Sequence, residues 1–497
     1  MSEAKKPRKW HESPHLWVSS TYFAEGFPYA VVNNIADILF KELGASLQVV
    51  GLTSLFHLPW NLKFLWGPFV DSYETKRRWL LATEVVIVAL LVLVALLAAQ
   101  SGVGLLPLAV GFVALALLSA THDIAIDGFY MEVLDTDEQS RFVGYRAAAY
   151  RIAVLVIGGP LVTLSAWAGW TVGLGLAAAM MAVLLAYHVV SLPRTEARKR
   201  PVHELLRALT SWRVLPLLLI AAALVVIERR FAGLSALQFR VEALVPWLNE
   251  LGAGGWLLIA LVLVAALLAA FGRQGVRAAR AWSSSGSGYL DSFLSFLDQP
   301  KVAVMLAFVI LFRTGESFLQ KMRWPFFDDV VQLSLDDYGI ANGTIGVLAS
   351  FAATIVGGRL IARDGLRRWI WPFVLAQNLL NLMYMGLAMA PEPSAIGPGV
   401  LTVVIAIEHA GAGLGTAVLM VYLMRTCDPA HKAGHFAIVS ALMSLSFTIA
   451  GVASGFLAEA IGFANYFGFT FLATIPSMAL ILFIPHLDGR ESKPAPE

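Results

Sequence analysis

The sequence predicts an all-α polytopic membrane protein of about fourteen transmembrane helices: two six-helix halves with two extra helices in a central insert. Three observations carry this. Of 497 residues, 58% are apolar and 14% charged, with a mean hydropathy of +0.71. Apolar runs of about 20 residues, the length that crosses a bilayer as a helix, recur throughout. Lys and Arg gather in alternate loops. One loop pattern also occurs twice, each time after the second helix of a half.

In chain order the spans read Leu16–Phe40, Leu47–Val70, Trp79–Ala99, Leu105–Val133, Ser140–Trp167 and Thr171–Leu192. A basic loop, Pro193–Pro201, then opens the insert. The insert holds two apolar segments, Val214–Ile227 and Leu251–Phe271, and the flexible stretch Ser283–Gly288. Six spans follow: Val302–Phe327, Tyr338–Ala362, Trp369–Ala390, Gly397–Met424, Ala433–Ile461 and Tyr466–Pro485. The expected divisions are 1–192, 193–300 and 301–497. Placing the N-terminus inside puts the clusters Lys76–Arg78, Arg194–Arg200, Arg273–Arg280 and Arg363–Arg368 in the cytoplasm, with few bases outside. Both termini are then cytoplasmic. The segment 214–227 is short for a span. Since basic clusters flank the insert on both sides, its two apolar segments must both cross or both not.

Several classes drop out. The single Cys427 forms no intramolecular disulfide and no Cys-rich metal site. The opening MSEAKKPRKW has no apolar core of a cleaved signal. No basic cluster interleaved with aromatics suggests nucleic acid, and no catalytic triad, phosphate loop or HExxH motif appears. No cofactor or metal is expected; the partners are the bilayer, a small-molecule solute and protons, with the chain a monomer.

The repeated loop is GPFVDSYETKRRW (67–79) and GRLIARDGLRRW (358–369). Gly67 and Gly358 stand at inner helix ends, followed by Arg77, Arg78 and by Arg367, Arg368. Asp71 completes the first copy, whereas Ala362 takes its place in the second, leaving that charge relay incomplete. The duplicated pattern is that of the major facilitator fold, whose halves bracket a site near mid-membrane.

Ionisable groups inside the spans mark candidate functional residues, because an unpaired charge at a helix centre costs roughly 2.5–3.5 kcal/mol. Ser119–Arg151 reads as two helices joined by a turn near Asp137. Asp127 and Arg146 lie ten and nine residues from that turn, and Asp123 and Arg151 both lie fourteen away. Matched depth predicts the pairs Asp127–Arg146 and Asp123–Arg151. On the first helix Tyr22, Glu25, Tyr29, Asn33 and Asp37 recur every three or four residues, a polar stripe that should face a wet cavity. Gly26 and Pro28 loosen the helix beside Glu25. Of the second helix, His57 reads as a hydrogen-bonded structural residue and Trp60 as a sugar-facing ring, while Lys63 either snorkels inward or lines the cavity. Glu84 suits a structural partner for a base on helix 2 or 4. Arg313 and Glu316 are cavity candidates. Lys321 and Arg323, close to the acidic loop with Asp328, Asp329, Asp336 and Asp337, are expected at the outer interface. Glu408 is buried beside His409, with Gly411 and Gly415 permitting close helix packing.

LKFLWGPFVD with KRRWLLATE, SATHDIAIDGFYMEVL, FRTGES, GTIGVLASFAATIVGG, and IEHAGAGLGTAVLMVYLMRTC with HFAIVSALMS together resemble the AmpG family of muropeptide permeases, within the major facilitator superfamily. The resemblance spans about Leu16 to Pro485. It implies a bacterial inner-membrane symporter that imports N-acetylglucosaminyl-1,6-anhydro-N-acetylmuramyl peptides with the proton gradient, for peptidoglycan recycling. The family's acid pair matches Asp123 and Asp127, its helix 2 lysine Lys63, and its C-half acids Glu316 and Glu408. His122, His409, His435 and Arg313 depart from the family pattern. The family is also similar to siderophore importers and acetyl-coenzyme A transporters, so another bulky anion is an alternative solute. A receptor or scaffold that binds without flux is the alternative of another class.

The expected mechanism is alternating access. Asp123 takes the proton, with Asp127 beside it and Glu25 in reserve. Arg146 or Arg151, once released, holds an anionic group of the solute, and Tyr22, Tyr29, Asn33, Trp60, Lys63, Arg313, Glu316 and Glu408 complete the binding surface.

Overall fold

A computed structural model describes residues 13–63, 66–100, 104–194, 201, 295–428 and 432–488. Among these the chain forms twelve main helical segments, besides shorter ones such as Gly67–Ser72 and Pro393–Ala395. The first six are α1 (14–42), α2 (47–62), α3 (Lys76–Ala98), α4 (Leu105–Val133), α5 (136–168) and α6 (Trp170–Ser191). The rest are α7 (Val302–Val331), α8 (Leu335–Asp364), α9 (366–388), α10 (Pro398–Thr426), α11 (432–461) and α12 (463–480). Eight helical stretches among the described residues are long and apolar enough to cross a membrane, so the protein is multi-pass. The expected insert helices at 214–227 and 251–271 lie outside the described residues, so the count of fourteen is not carried by the fold.

Several helices are not regular throughout. Pro28 lies inside α1, and the wide π-turn Val31–Ile35 follows it. Pro160 sits within a second such turn, Ile157–Leu161, in α5. Proline removes a backbone donor, so the chain overwinds or widens around it. α8 carries a longer wide turn, Gly339–Gly346. α7 breaks at Arg313, between Val302–Phe312 and Thr314–Phe326. The expected second helix, Leu47–Val70, ends earlier: α2 stops at Leu62, and a separate short helix, Gly67–Ser72, carries Asp71. The α4–α5 turn lies at Leu134–Asp135, not Asp137. Asp135 caps α5 by accepting from the Glu138 N–H, while the Glu138 side chain returns to the Asp135 N–H.

Residues 13 and 488 lie at the same end of the bundle, here the near end. The apolar core divides in a way that defines the architecture. At the near end the first six helices have their own cluster, around Trp17, Tyr22, Phe129 and Phe142. The last six have another, around Phe308, Phe312, Phe373 and Tyr422. At the far end one cluster spans both groups, joining Phe27, Phe40 and Phe112 to Phe318, Phe326 and Phe467. The groups therefore share a core at one end and separate toward the other.

Two seams close the far end. At one, a Cβ added to Gly343 of α8 would fall 1.7 Å from the Gly158 carbonyl oxygen of α5. At the other, a Cβ on Gly455 of α11 would fall 2.0 Å from the Leu47 carbonyl oxygen of α2. Only glycine permits main chains this close. Side chains reinforce both seams. Lys41 of α1 pairs with Asp329 at 2.5 Å and Asp328 at 3.6 Å, and the Trp167 indole donates to Asp336 at 3.1 Å.

Each group also holds a buried polar hub. In the first, Glu84 Oε1 of α3 takes His188 Nδ1 of α6 at 2.6 Å and His122 Nε2 of α4 at 3.3 Å, all three side chains fully buried. His188 Nε2 continues to the Ser20 hydroxyl of α1 at 2.9 Å. In the second, Arg323 of α7 donates to Glu408 of α10 at 2.7 Å and to Asn342 of α8 at 2.8 Å. Lys321 and Arg323 are thus corrected: both are buried rather than interfacial, because their partners come from distant helices. Glu84 does serve as a structural partner, but for histidines on α4 and α6.

The duplicated loops differ from expectation in one respect. Trp79 donates to the Tyr73 carbonyl at 2.7 Å, and Arg77 to the Val189 carbonyl at 2.8 Å. In the second copy Asp364, two residues beyond Ala362, accepts from Trp369 and Arg363, both at 3.0 Å. That loop has its acid after all. Arg78 pairs with Glu74 and Arg367 with Asp488; Arg368 is exposed, and a Cβ on Gly67 or Gly358 would meet nothing within 4 Å.

Candidate functional site

Between the two groups lies a cavity of about 720 Å³. The α1 stripe lines it along its whole length: Tyr22, Glu25, Tyr29, Asn33 and Asp37 all face it. Period 3.6 made this legible, since polar residues on one face of a membrane helix must meet water or other polar groups. Arg146 and Arg151 of α5 form the adjoining wall, and α7, α8, α10 and α11 close the opposite one with Lys321, Arg323, Phe351, His409 and Phe447.

At the cavity's near half the charges form a compact cluster. Arg146 pairs with Asp127 at 2.9 Å, as matched depth predicts. Tyr22 donates to the same Asp127 oxygen at 2.7 Å, and the guanidinium carbon lies 4.5 Å from the Tyr22 ring centroid. Asp123 does not reach Arg151. It accepts from Lys63 at 2.6 Å, so the second predicted pair is corrected. Lys63 neither snorkels nor stands free: its Asp123 partner holds it at the cluster. Carboxylate oxygens of Glu25, Asp123 and Asp127 lie within 4.8 Å of one another. Glu25 Oε2 is shielded from solvent and has no hydrogen-bond partner among the described residues.

Trp60 packs edge-on to Tyr29 with centroids 5.1 Å apart and stacks on His57 at 5.5 Å, behind the lining residues. His57 Nδ1 faces Asn33 Oδ1 at 2.8 Å, and Nε2 faces the Ser444 hydroxyl of α11. It is a hydrogen-bonded link between the groups. Arg313 pairs with Glu316 at 3.0 Å and donates to Thr416 at 3.3 Å. Arg313, Glu316 and Glu408 support the wall rather than line the cavity.

Sequence reasoning missed the cavity's far boundary. There Lys321 of α7 reaches α1 and α2, donating to Thr53 at 2.6 Å and lying 3.7 Å from Asp37. It missed His409 as well. A guanidinium can only donate, so His409 Nε2, 3.2 Å from Arg323, is the accepting nitrogen. The ring proton then sits on Nδ1, which faces Glu408 Oε2 at 2.9 Å and the Ile405 carbonyl at 3.0 Å.

A family model described as Major Facilitator Superfamily matches residues 18–311. The chain belongs to that superfamily. Major facilitator proteins are secondary transporters, and an all-helical bundle around a polar cavity is their architecture. Among relatives, an anhydromuropeptide permease of Escherichia coli K12 is 24% identical over 468 residues, covering 93% of this chain and 77% of that protein. An uncharacterized Haemophilus influenzae protein is 25% identical, covering 95% of each. A Rickettsia felis protein named putative transporter AmpG 4 is 20% identical, covering 92% of this chain and 93% of its own length. A crystal structure of a peptide transporter POT in complex with sulfate superposes with a TM-score of 0.65 at 13% identity, covering 96% of both chains. A D-xylose-proton symporter gives 0.61 at 11% identity, covering 96% of this chain and 98% of that one. These structures share this major facilitator chain's fold.

Proposed function

We propose that this major facilitator is a proton-coupled importer of anhydromuropeptides in a bacterial inner membrane, with fourteen helices and its near end cytoplasmic. The printed name of the Escherichia coli relative, 24% identical, suggests the solute. The observation that carries the mechanism is the divided core: one apolar cluster shared at the far end, two separate ones at the near end, and a charged cavity between. In this reading the conformation is inward-facing, and alternating access parts the glycine seams while bringing the near-end clusters together.

Charge counting assigns the proton. Three carboxyl groups, Glu25, Asp123 and Asp127, face two bases, Lys63 and Arg146. With one proton, taken up in the loaded carrier, this cluster sums to zero. Asp123 and Asp127 each hold a base, so Glu25 is the carrier in place of the expected Asp123. From the outward state Glu25 takes a proton and the solute binds; after reorientation both leave to the cytoplasm and the empty carrier returns. One proton entering down an electrochemical gradient of about 100 mV supplies roughly 2.3 kcal/mol, close to a 50-fold accumulation.

The test is uptake of labelled anhydromuropeptide by cells with and without the protein, each with and without a protonophore. Protein-dependent accumulation that collapses with the protonophore is expected. Absent uptake by correctly inserted protein would remove the muropeptide assignment. The same assay then passes to siderophores and acyl-coenzyme A, bulky anions that Arg151, which no carboxylate holds among the described residues, also favours.

A further inference from the structure

The bases around the cavity are nearly all engaged. Arg146 holds Asp127, Lys321 holds Asp37 and Thr53, and Arg323 holds Glu408 and Asn342. Just outside the lining, Arg313 holds Glu316. Arg151 differs. It lines the cavity from α5, yet among the described residues no carboxylate and no hydrogen-bond acceptor takes its guanidinium. Its guanidinium lies over the ring of Phe351 on α8, 5.4 Å from guanidinium carbon to centroid. A half-buried cation in the cavity wall with no anion to pair with among the described residues is a costly arrangement unless a ligand completes it.

We propose that Arg151 is the anion subsite of the transport cavity and that its charge makes transport of a monoanion electrically silent, one proton moving with one negative charge. This rests on the transporter reading above. The guanidinium fork presents donors that match a carboxylate or phosphate in two-point fashion. Phe351 offers an apolar face beside it without consuming those donors. Because Arg151 belongs to the first six helices and Phe351 to the last six, a bound anion sits where the groups move apart.

The charge balance follows from two residues. In the empty carrier ionised Glu25 and Arg151 sum to zero. In the loaded carrier Glu25 is neutral, and the solute's anion offsets Arg151, again summing to zero. Neither reorientation then moves net charge across the membrane through these groups. A pH gradient drives uptake of a monoanion, and a membrane potential alone does not.

Two arms test this on the purified full chain. In the first, inorganic phosphate raises the thermal unfolding midpoint of the wild type, Arg151→Gln abolishes the rise and Arg151→Lys keeps part of it. No rise in the wild type, or the same rise in Arg151→Gln, overturns the subsite. In the second, proteoliposomes take up the peptide-free disaccharide N-acetylglucosaminyl-1,6-anhydro-N-acetylmuramate, which carries one carboxylate, or its methyl ester. The acid is driven by a pH gradient and not by a potassium–valinomycin potential, and Arg151→Gln lowers its uptake about ten- to hundredfold while sparing the ester. Uptake driven by potential alone, or equal losses of acid and ester, overturns the inference. A wild type that moves neither compound defeats the muropeptide reading instead, and the phosphate arm still decides Arg151.

Discussion

Gly343→Ala should hold the far end open. The added Cβ would lie 1.7 Å from the Gly158 carbonyl oxygen, 2.1 Å from its carbon and 2.5 Å from Gly159 Cα. Ordinary contact between such atoms is about 3.5 Å. The opposing atoms are main chain, so no rotamer change relieves them, and α8 must retreat from α5 by nearly 2 Å, on the order of half a contact distance. Overpacking of this kind costs about 1–3 kcal/mol. Spent on the closed far end alone, it shifts the balance toward the open one about 5- to 150-fold. Thr163, buried and packed against Gly339 in the same seam, is the reporter. A Thr163→Cys protein should react with a membrane-impermeant maleimide faster by that factor once Gly343→Ala is added, and solute uptake should fall. Gly358→Ala is the control, since a Cβ there meets nothing within 4 Å. Equal labelling rates and equal uptake with and without Gly343→Ala would refute the glycine seam as a gate.

Other outcomes are equally specific. Glu25→Gln should abolish accumulation against a gradient while solute exchange in counterflow persists; accumulation at the wild-type level would return the proton to Asp123. Asp123→Asn strips Lys63 of its partner and should lower the folded yield on size-exclusion chromatography, and adding Lys63→Met should recover it, because no unpaired charge then remains. Arg323→Met leaves Glu408 buried with the His409 imidazole beside it and no guanidinium, and should destabilise the protein by about 3–5 kcal/mol, seen as a lowered unfolding midpoint in detergent. Lys41→Ala removes a pair whose acids are about 40% exposed and should cost about 0–1 kcal/mol by the same measurement.

The α1 stripe was fully legible because helical period needs no knowledge of neighbours. Asp127–Arg146 was legible for a related reason, as a short turn fixes the relative depth of the helices it joins. Asp123 shows where that logic ends. Depth matching compares two helices and is blind to a third, so it could not see Lys63 arriving from α2, and a turn two residues earlier than expected shifted the register as well. Lys321 and Arg323 follow the same rule: proximity in sequence to an acidic loop suggested a surface, while Asp37, Thr53 and Glu408, remote in sequence, hold them inside. The missing acid of the second loop was sought at the aligned position, Ala362, although a tight turn at Gly365, with φ of +88°, lets Asp364 fill the role from two residues on.

The two buried hubs carry a consequence for how the chain can be assembled. Glu84 of α3 draws its partners from α4 and α6, with Ser20 of α1 behind His188; Glu408 of α10 draws Arg323 from α7 and its neighbour His409, with Asn342 of α8 behind Arg323. In each case the ions most expensive to strand are satisfied within one six-helix group. Covalent continuity is then dispensable for those hubs. Two polypeptides, 1–201 and 202–497, synthesised together in one cell, should each insert as a self-consistent unit and dock through the glycine seams, restoring uptake from separate pieces.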